Sequence, residues 1–151
     1  MALPGDTPST IVIVEDNPSL LTFLTFAMEQ LGNYRVIASP DGAQGLEDII
    51  THRPDCVVAD VKMPGLDGYQ LVQALRGDPD TEAIPIVMMT ALAQEKDRFT
   101  GLAVGADIYL IKPVAPLELA EAIQRVITTS QAERAHRLQQ LAEMPQTPTE
   151  E

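Results

Sequence analysis

Short apolar runs punctuate the chain, and between them the apolar residues fall at helical spacing. Ile11-Val12-Ile13-Val14, Cys56-Val57-Val58-Ala59 and Ile86-Val87-Met88-Met89 are apolar on both alternate sets of positions, the pattern of strands buried on both faces. A more polar strand is predicted over 34–38, and a fifth strand over Ile108-Tyr109-Leu110-Ile111. Asn17-Pro18 reads as an N-cap with proline at the first helical position, opening a helix with Leu20, Leu24, Ala27, Met28 and Leu31 on one face and Gly32 at its end. Ser39-Pro40 is expected to open a second helix, with Ala43, Leu46, Ile49 and Ile50 inward and Pro54 beyond it. Asp67 can cap a third, carrying Leu71, Val72 and Leu75 and stopped by Gly77-Asp78-Pro79. A fourth is expected over 94–104, with Phe99, Leu102 and Ala103 on its face and Gly101 weakening it. Pro116 opens the last, with Leu119, Ala120, Ile123, Val126 and Ile127 inward.

Strict alternation of buried strands with helices predicts an α/β fold, a doubly wound five-stranded parallel sheet covered on both faces. In such sheets ligands sit beyond the carboxyl ends of the strands. Those ends carry Glu15 and Asp16 after the first strand, Asp60 after the third, Thr90 after the fourth and Lys112 after the fifth. Residues 1–9 read as a disordered lead-in and 10–129 as the domain. Residues 130–151 read as a helical extension with a disordered acidic tail, because Ala135, Leu138 and Ala142 give only a thin stripe, fitting a solvated helix better than a coiled coil.

Composition narrows the function. The 151 residues include 10 basic and 22 acidic, a formal charge of −12 that disfavours direct contact with nucleic acid or anionic membrane. No apolar run reaches bilayer length and no basic segment opens a signal peptide, so a soluble cytoplasmic protein is expected. The single cysteine, Cys56, lies in an apolar run and reads as a buried thiol in a reducing compartment.

Carboxylates gathered on one rim repel one another unless a cation sits among them, and an oxygen-only set with room for water suits Mg²⁺. A metal-bound Asp60 could act as a nucleophile toward phosphorus, with Lys112 and the Thr90 hydroxyl placed to hold the transferred oxygens, giving an aspartyl phosphate. Singly, each of these residues also fits a cap or a solvated charge. Their recurrence at the ends of four strands is what points to a site.

The order Glu15-Asp16, Asp60 with Met63-Pro64-Gly65 behind it, Thr90-Ala91, and Tyr109 ahead of Lys112-Pro113 closely resembles the receiver domain of two-component response regulators, of the chemotaxis-regulator kind. The resemblance covers about residues 10–129. It implies a flavodoxin-like (βα)5 fold with strand order 2-1-3-4-5. Asp60 would accept a phosphoryl group from a phosphohistidine of a sensor histidine kinase or phosphotransfer protein. Glu15 (through water), Asp16, Asp60 and the backbone carbonyl of Lys62 would hold Mg²⁺ or Mn²⁺. Lys112 would pair with the phosphate, Thr90 would move to bond it, and Tyr109 would turn inward past the small Ala91. Lys62 and Leu92 fall at positions that in the family tune phosphoryl lifetime, and Lys112-Pro113 resembles the family's cis peptide bond. The readout face would comprise the 94–104 helix, the Tyr109 strand and the final helix, controlling a downstream effector or an output domain of a longer regulator and allowing a homodimer. Such a domain is not an enzyme beyond its own phosphotransfer and autodephosphorylation.

Two other classes share parts of this pattern. A haloacid-dehalogenase-type phosphatase would place a second Asp two residues after the first, where this chain has Lys62, and a flavodoxin-like cofactor binder would want a glycine- or hydroxyl-rich loop where Glu15-Asp16-Asn17-Pro18 stands.

Overall fold

A computed structural model describes residues 7–91 and 105–143. The expected 94–104 helix, Leu92, and residues 1–6 and 144–151 of the expected disordered ends lie outside the described residues. The elements run β1 (Thr10–Val14), α1 (Pro18–Leu31), β2 (Arg35–Ser39), α2 (Gly42–His52), β3 (Cys56–Asp60), α3 (Gly68–Arg76), β4 (Ile86–Thr90), β5 (Ile108–Ile111) and α4 (Pro116–Glu143). All pairings are parallel, in the order β2-β1-β3-β4-β5.

The unbroken apolar runs explain the three central strands. Alternate residues point to opposite faces, so each run supplies two cores at once. Ile11, Ile13, Cys56, Val58, Val87 and Met89 pack with α1 and α4, whereas Val12, Val14, Val57, Ala59, Ile86 and Met88 pack with α2 and α3. The edge strands β2 and β5 are only partly buried; β2 is accordingly more polar, with Arg35 and Ser39 at its ends, whereas β5 stays apolar.

Caps define the helices. Asn17 accepts from the Leu20 amide, and Asp67 with Gln70 forms a reciprocal capping box at the start of α3. The cap of α2 is Asp41 rather than Ser39-Pro40, because Ser39 is the last residue of β2 and Asp41 accepts from the Gln44 amide. The inward face of α2 also differs from the periodic reading: Ala43 and Ile50 are exposed, and Gly42, Gly45 and Ile49 are buried. In α1, Leu21 is buried and Leu31 exposed, together with Phe23 and Phe26. The final helix buries the expected five residues and runs on to Glu143.

At the amino end of the sheet, Arg76 ties α3 to two loops. Its guanidinium donates to the carbonyls of Glu82 (2.7 Å), Ile84 (2.7 Å) and Gly105 (2.9 Å) and pairs with Asp107 at 3.0 Å. Asp107 in turn accepts from the Ile86 amide at 2.8 Å. Arg76→Ala should therefore cost about 2 kcal/mol in urea unfolding, since several carbonyls lose a charged donor at once.

Candidate functional site

Strand order reverses between β1 and β3, and the carboxyl ends of these two strands carry Glu15 and Asp60. Glu15 is 1% exposed and Asp60 6% exposed, values that carboxylates rarely reach without a partner. The partner is Lys112. Its ammonium donates to Glu15 Oε1 at 2.9 Å and to Asp60 Oδ2 at 3.0 Å, joining residues 97 and 52 positions away in the chain. Exposed Asp16 completes the cluster: one ligand oxygen from each of Glu15, Asp16 and Asp60 lies within 4.8 Å of the others.

Backbone bonds hold these groups in place. The Glu15 amide donates to the Ser39 carbonyl at 3.1 Å, and the Asn17 amide to Glu15 Oε2 at 3.1 Å. Beyond Asp60, the Val61 amide donates to Met89 and the Gly68 amide to Val61, each at 2.9 Å. A side chain on Gly68 would overlap the Asp60 carbonyl, so only glycine lets α3 begin so close beneath Asp60. Gly65, with φ +75°, supplies the turn between them. The Lys112 amide donates to the Thr90 carbonyl at 2.6 Å, tying the β5 exit to β4, and the Lys112-Pro113 peptide is cis.

Electrostatics follow from burial. Burial pushes the Glu15 carboxyl above its ordinary value, against the bonds from Lys112 and the Asn17 amide that favour its charged form; Asp60 adds a smaller push upward. Burial by itself lowers the Lys112 ammonium, but the bonds to Glu15 and Asp60 outweigh it and the net direction is up. Burial also pushes the Cys56 thiol well up, making it a core group rather than a reactive one.

Three carboxylates facing one ammonium leave an excess of negative charge in a pocket made only of oxygen donors. That donor set fits a hard divalent cation. Thr90, 1% exposed, ends β4 beside this rim, and Ala91 after it is exposed. Tyr109 pairs with Met88 across the β4-β5 ladder and packs against the core beneath α2 and α3, its hydroxyl enclosed and without a hydrogen-bond partner among the described residues. Lys62 is exposed immediately after the buried Val61. Reading the sequence brought Glu15, Asp16, Asp60 and Lys112 to one rim, but it missed that Lys112 bridges two carboxylates directly and that Ser39 receives the Glu15 amide. The polar end of β2 was the available signal for Ser39.

The family model for the response regulator receiver domain matches residues 11–124. Over 122 residues the chain is 39% identical to the "Probable transcriptional regulator ycf27" of Guillardia theta, covering 81% of this chain and 46% of that relative. It is 36% identical over 121 residues to the alkaline phosphatase synthesis transcriptional regulatory protein PhoP of Bacillus subtilis, covering 80% and 49%. The chain thus spans about half the length of the curated relatives it matches. Among solved structures, the receiver domain of the sensor histidine kinase PA1611 from Pseudomonas aeruginosa, with a magnesium ion coordinated in its active site cleft, is similar with TM-score 0.74 and 34% identity, covering 81% of this chain and 99% of that one. The chemotaxis protein CheY4 of Vibrio cholerae has TM-score 0.74 and 30% identity, covering 80% and 99%.

Proposed function

This chain belongs to the response regulator receiver domain family, and from that membership we propose that it is a phosphorylation switch whose acceptor is Asp60. The observation that carries the reading is the Lys112 ammonium held between Asp60 Oδ2 and Glu15 Oε1 with Asp16 beside them. A phosphohistidine of a sensor kinase or phosphotransfer protein is the donor. A carboxylate oxygen of Asp60 forms a bond to phosphorus as the phosphorus–nitrogen bond breaks, and the imidazole keeps that electron pair.

Glu15, Asp16, Asp60 and the Lys62 carbonyl would hold Mg²⁺, or Mn²⁺ in its place. When bound, the ion neutralises the clustered carboxylates and the oxygens of the incoming group. The chain's own residues do the rest. Lys112 is already bonded to the acceptor, so its cationic head stands where negative charge arrives with the phosphoryl group, and Thr90 ends the neighbouring strand with a hydroxyl for the same oxygens. Tyr109 and Ala91 carry the shift toward the 94–104 segment and the final helix, where an effector protein, an output domain of a longer regulator or a second copy reads it. No helix among the described residues is long and apolar enough to cross a membrane, and a cytoplasmic location suits a kinase-fed switch.

Labelling with acetyl phosphate tests the reading. The protein should take up phosphoryl in the presence of Mg²⁺ and not with chelator, and amide exchange from Gly105 to Ile111 should change on labelling. Uptake without any change in that exchange would leave an acceptor but no switch.

A further inference from the structure

Helix α2 has no residue in the acidic cluster, yet one side of it touches the loop after Asp60, the strand that leads into Glu15 and the end of β2. Gly42 lies against the Leu66 carbonyl, in the loop that follows Asp60. Gly45 lies against Val14, the residue before Glu15, so closely that a Cβ there would sit 2.6 Å from Val14 Cγ2. Asp48 accepts the Ser39 hydroxyl through Oδ2 at 2.7 Å, and its Oδ1 accepts from Gln44 Nε2 at 3.0 Å. The three positions are spaced three residues apart, so they share one side of the helix.

Ser39 is the informative member. It is fully buried at the end of an edge strand, opposite Val14 in the ladder, and its carbonyl receives the Glu15 amide. An edge strand has a neighbour on one side only, so its last residue has no second strand to hold it. The hydroxyl bond to Asp48 supplies that missing anchor. A chain of contacts therefore runs from Asp48 through Ser39 to the backbone of Glu15, whose side chain meets Lys112.

We propose that Asp48 and Ser39 are positioning residues for the divalent-cation and phosphoryl site, fixing Glu15 from behind through the end of β2. The inference rests on the reading of the acidic pocket as a Mg²⁺ site. Groups that orient a ligand from outside typically change metal affinity by about 10–100-fold when removed, and one that acts through backbone belongs at the lower end.

The test is calorimetric titration of Mg²⁺ into wild type, Ser39→Ala, Asp48→Ala, the double variant and Asp48→Asn, with amide exchange of the metal-free proteins. Ser39→Ala and Asp48→Ala should each weaken Mg²⁺ about tenfold, and the double variant no further than either, because both break one bond. Asp48→Asn, which keeps an acceptor and loses the charge, should stay within about twofold of wild type, separating orientation from long-range attraction. In the metal-free proteins the Glu15 amide should exchange faster in both alanine variants, while the Val57 and Val58 amides do not change. Lower melting temperatures with unchanged Mg²⁺ affinity and unchanged Glu15 exchange would reduce Asp48 to a helix anchor and overturn the proposal. Wild type that binds no Mg²⁺ would instead overturn the reading of the pocket, whatever the exchange data show.

Discussion

Asp60→Asn protein incubated with acetyl phosphate and Mg²⁺ will carry no phosphoryl group at position 60, while wild type is labelled. The substitution keeps the size of the side chain and an oxygen that can still accept from Lys112, so the pocket loses the nucleophile but keeps its shape. It also removes one of the negative charges that face Glu15 across the rim. The melting temperature should therefore stay within about 3 °C of wild type, corresponding to under 1 kcal/mol for a domain of this size. Divalent-ion affinity should drop as well, because one of three carboxylate donors becomes a neutral amide. Loss of label in a protein that melts normally is a chemical result, not an unfolding one. A variant that takes up label as wild type does would mean that the acceptor lies elsewhere.

The second large effect is expected at Lys112, and its size depends on metal. Glu15 is 1% exposed and bonded to the ammonium; Lys112→Met leaves that carboxyl and Asp60 together without a cation. Removing one partner of a buried pair costs about 3–5 kcal/mol, and because the lysine side chain is 20% exposed the lower figure, about 3 kcal/mol, applies here. Glu15 has its pKa raised by burial, so below that value the carboxyl can take up a proton and escape the penalty. The loss should thus grow as pH rises through the raised Glu15 pKa toward neutrality. Mg²⁺ at a hundredfold excess over its dissociation constant should restore about 2.7 kcal/mol by mass action. Labelling should slow by about 10²-fold even when Mg²⁺ is saturating, since the donor facing the transferred oxygens is gone. Urea unfolding with and without Mg²⁺ reads the first effect, and a time course of acetyl phosphate labelling the second. A Lys112→Met protein as stable as wild type in chelator would show that the bridge contributes nothing.

The strands were legible because burial on both faces leaves no choice of residue: β1, β3 and β4 read as apolar at every position but their ends. The rim was legible for the same reason, as Glu15, Asp60 and Thr90 stand where those runs stop and Lys112 where the apolar edge strand β5 stops. The helix faces were less so. Helix α1 carries a single charge, Glu29, so periodicity left Phe23 and Phe26 off the inward face but could not choose Leu21 over Leu31. In α2 periodicity found the buried Ile49, but Gly42 and Gly45, also buried, have no side chain to register as hydrophobic, while Ala43 and Ile50 look apolar and face out. Arg76 was invisible because its partners are mostly backbone carbonyls, which no side-chain pattern records. Ser39 escaped for a related reason, joining a carboxylate nine residues on through its side chain and Glu15 through its backbone.

The most direct test is site mapping by tandem mass spectrometry after brief treatment of wild type with acetyl phosphate and Mg²⁺, with borohydride reduction to convert any acyl phosphate into a stable alcohol before digestion. A single reduced side chain at Asp60, absent when chelator replaces Mg²⁺, is the predicted result. Modification at another carboxylate, or at Asp60 to the same extent without a divalent ion, would contradict it.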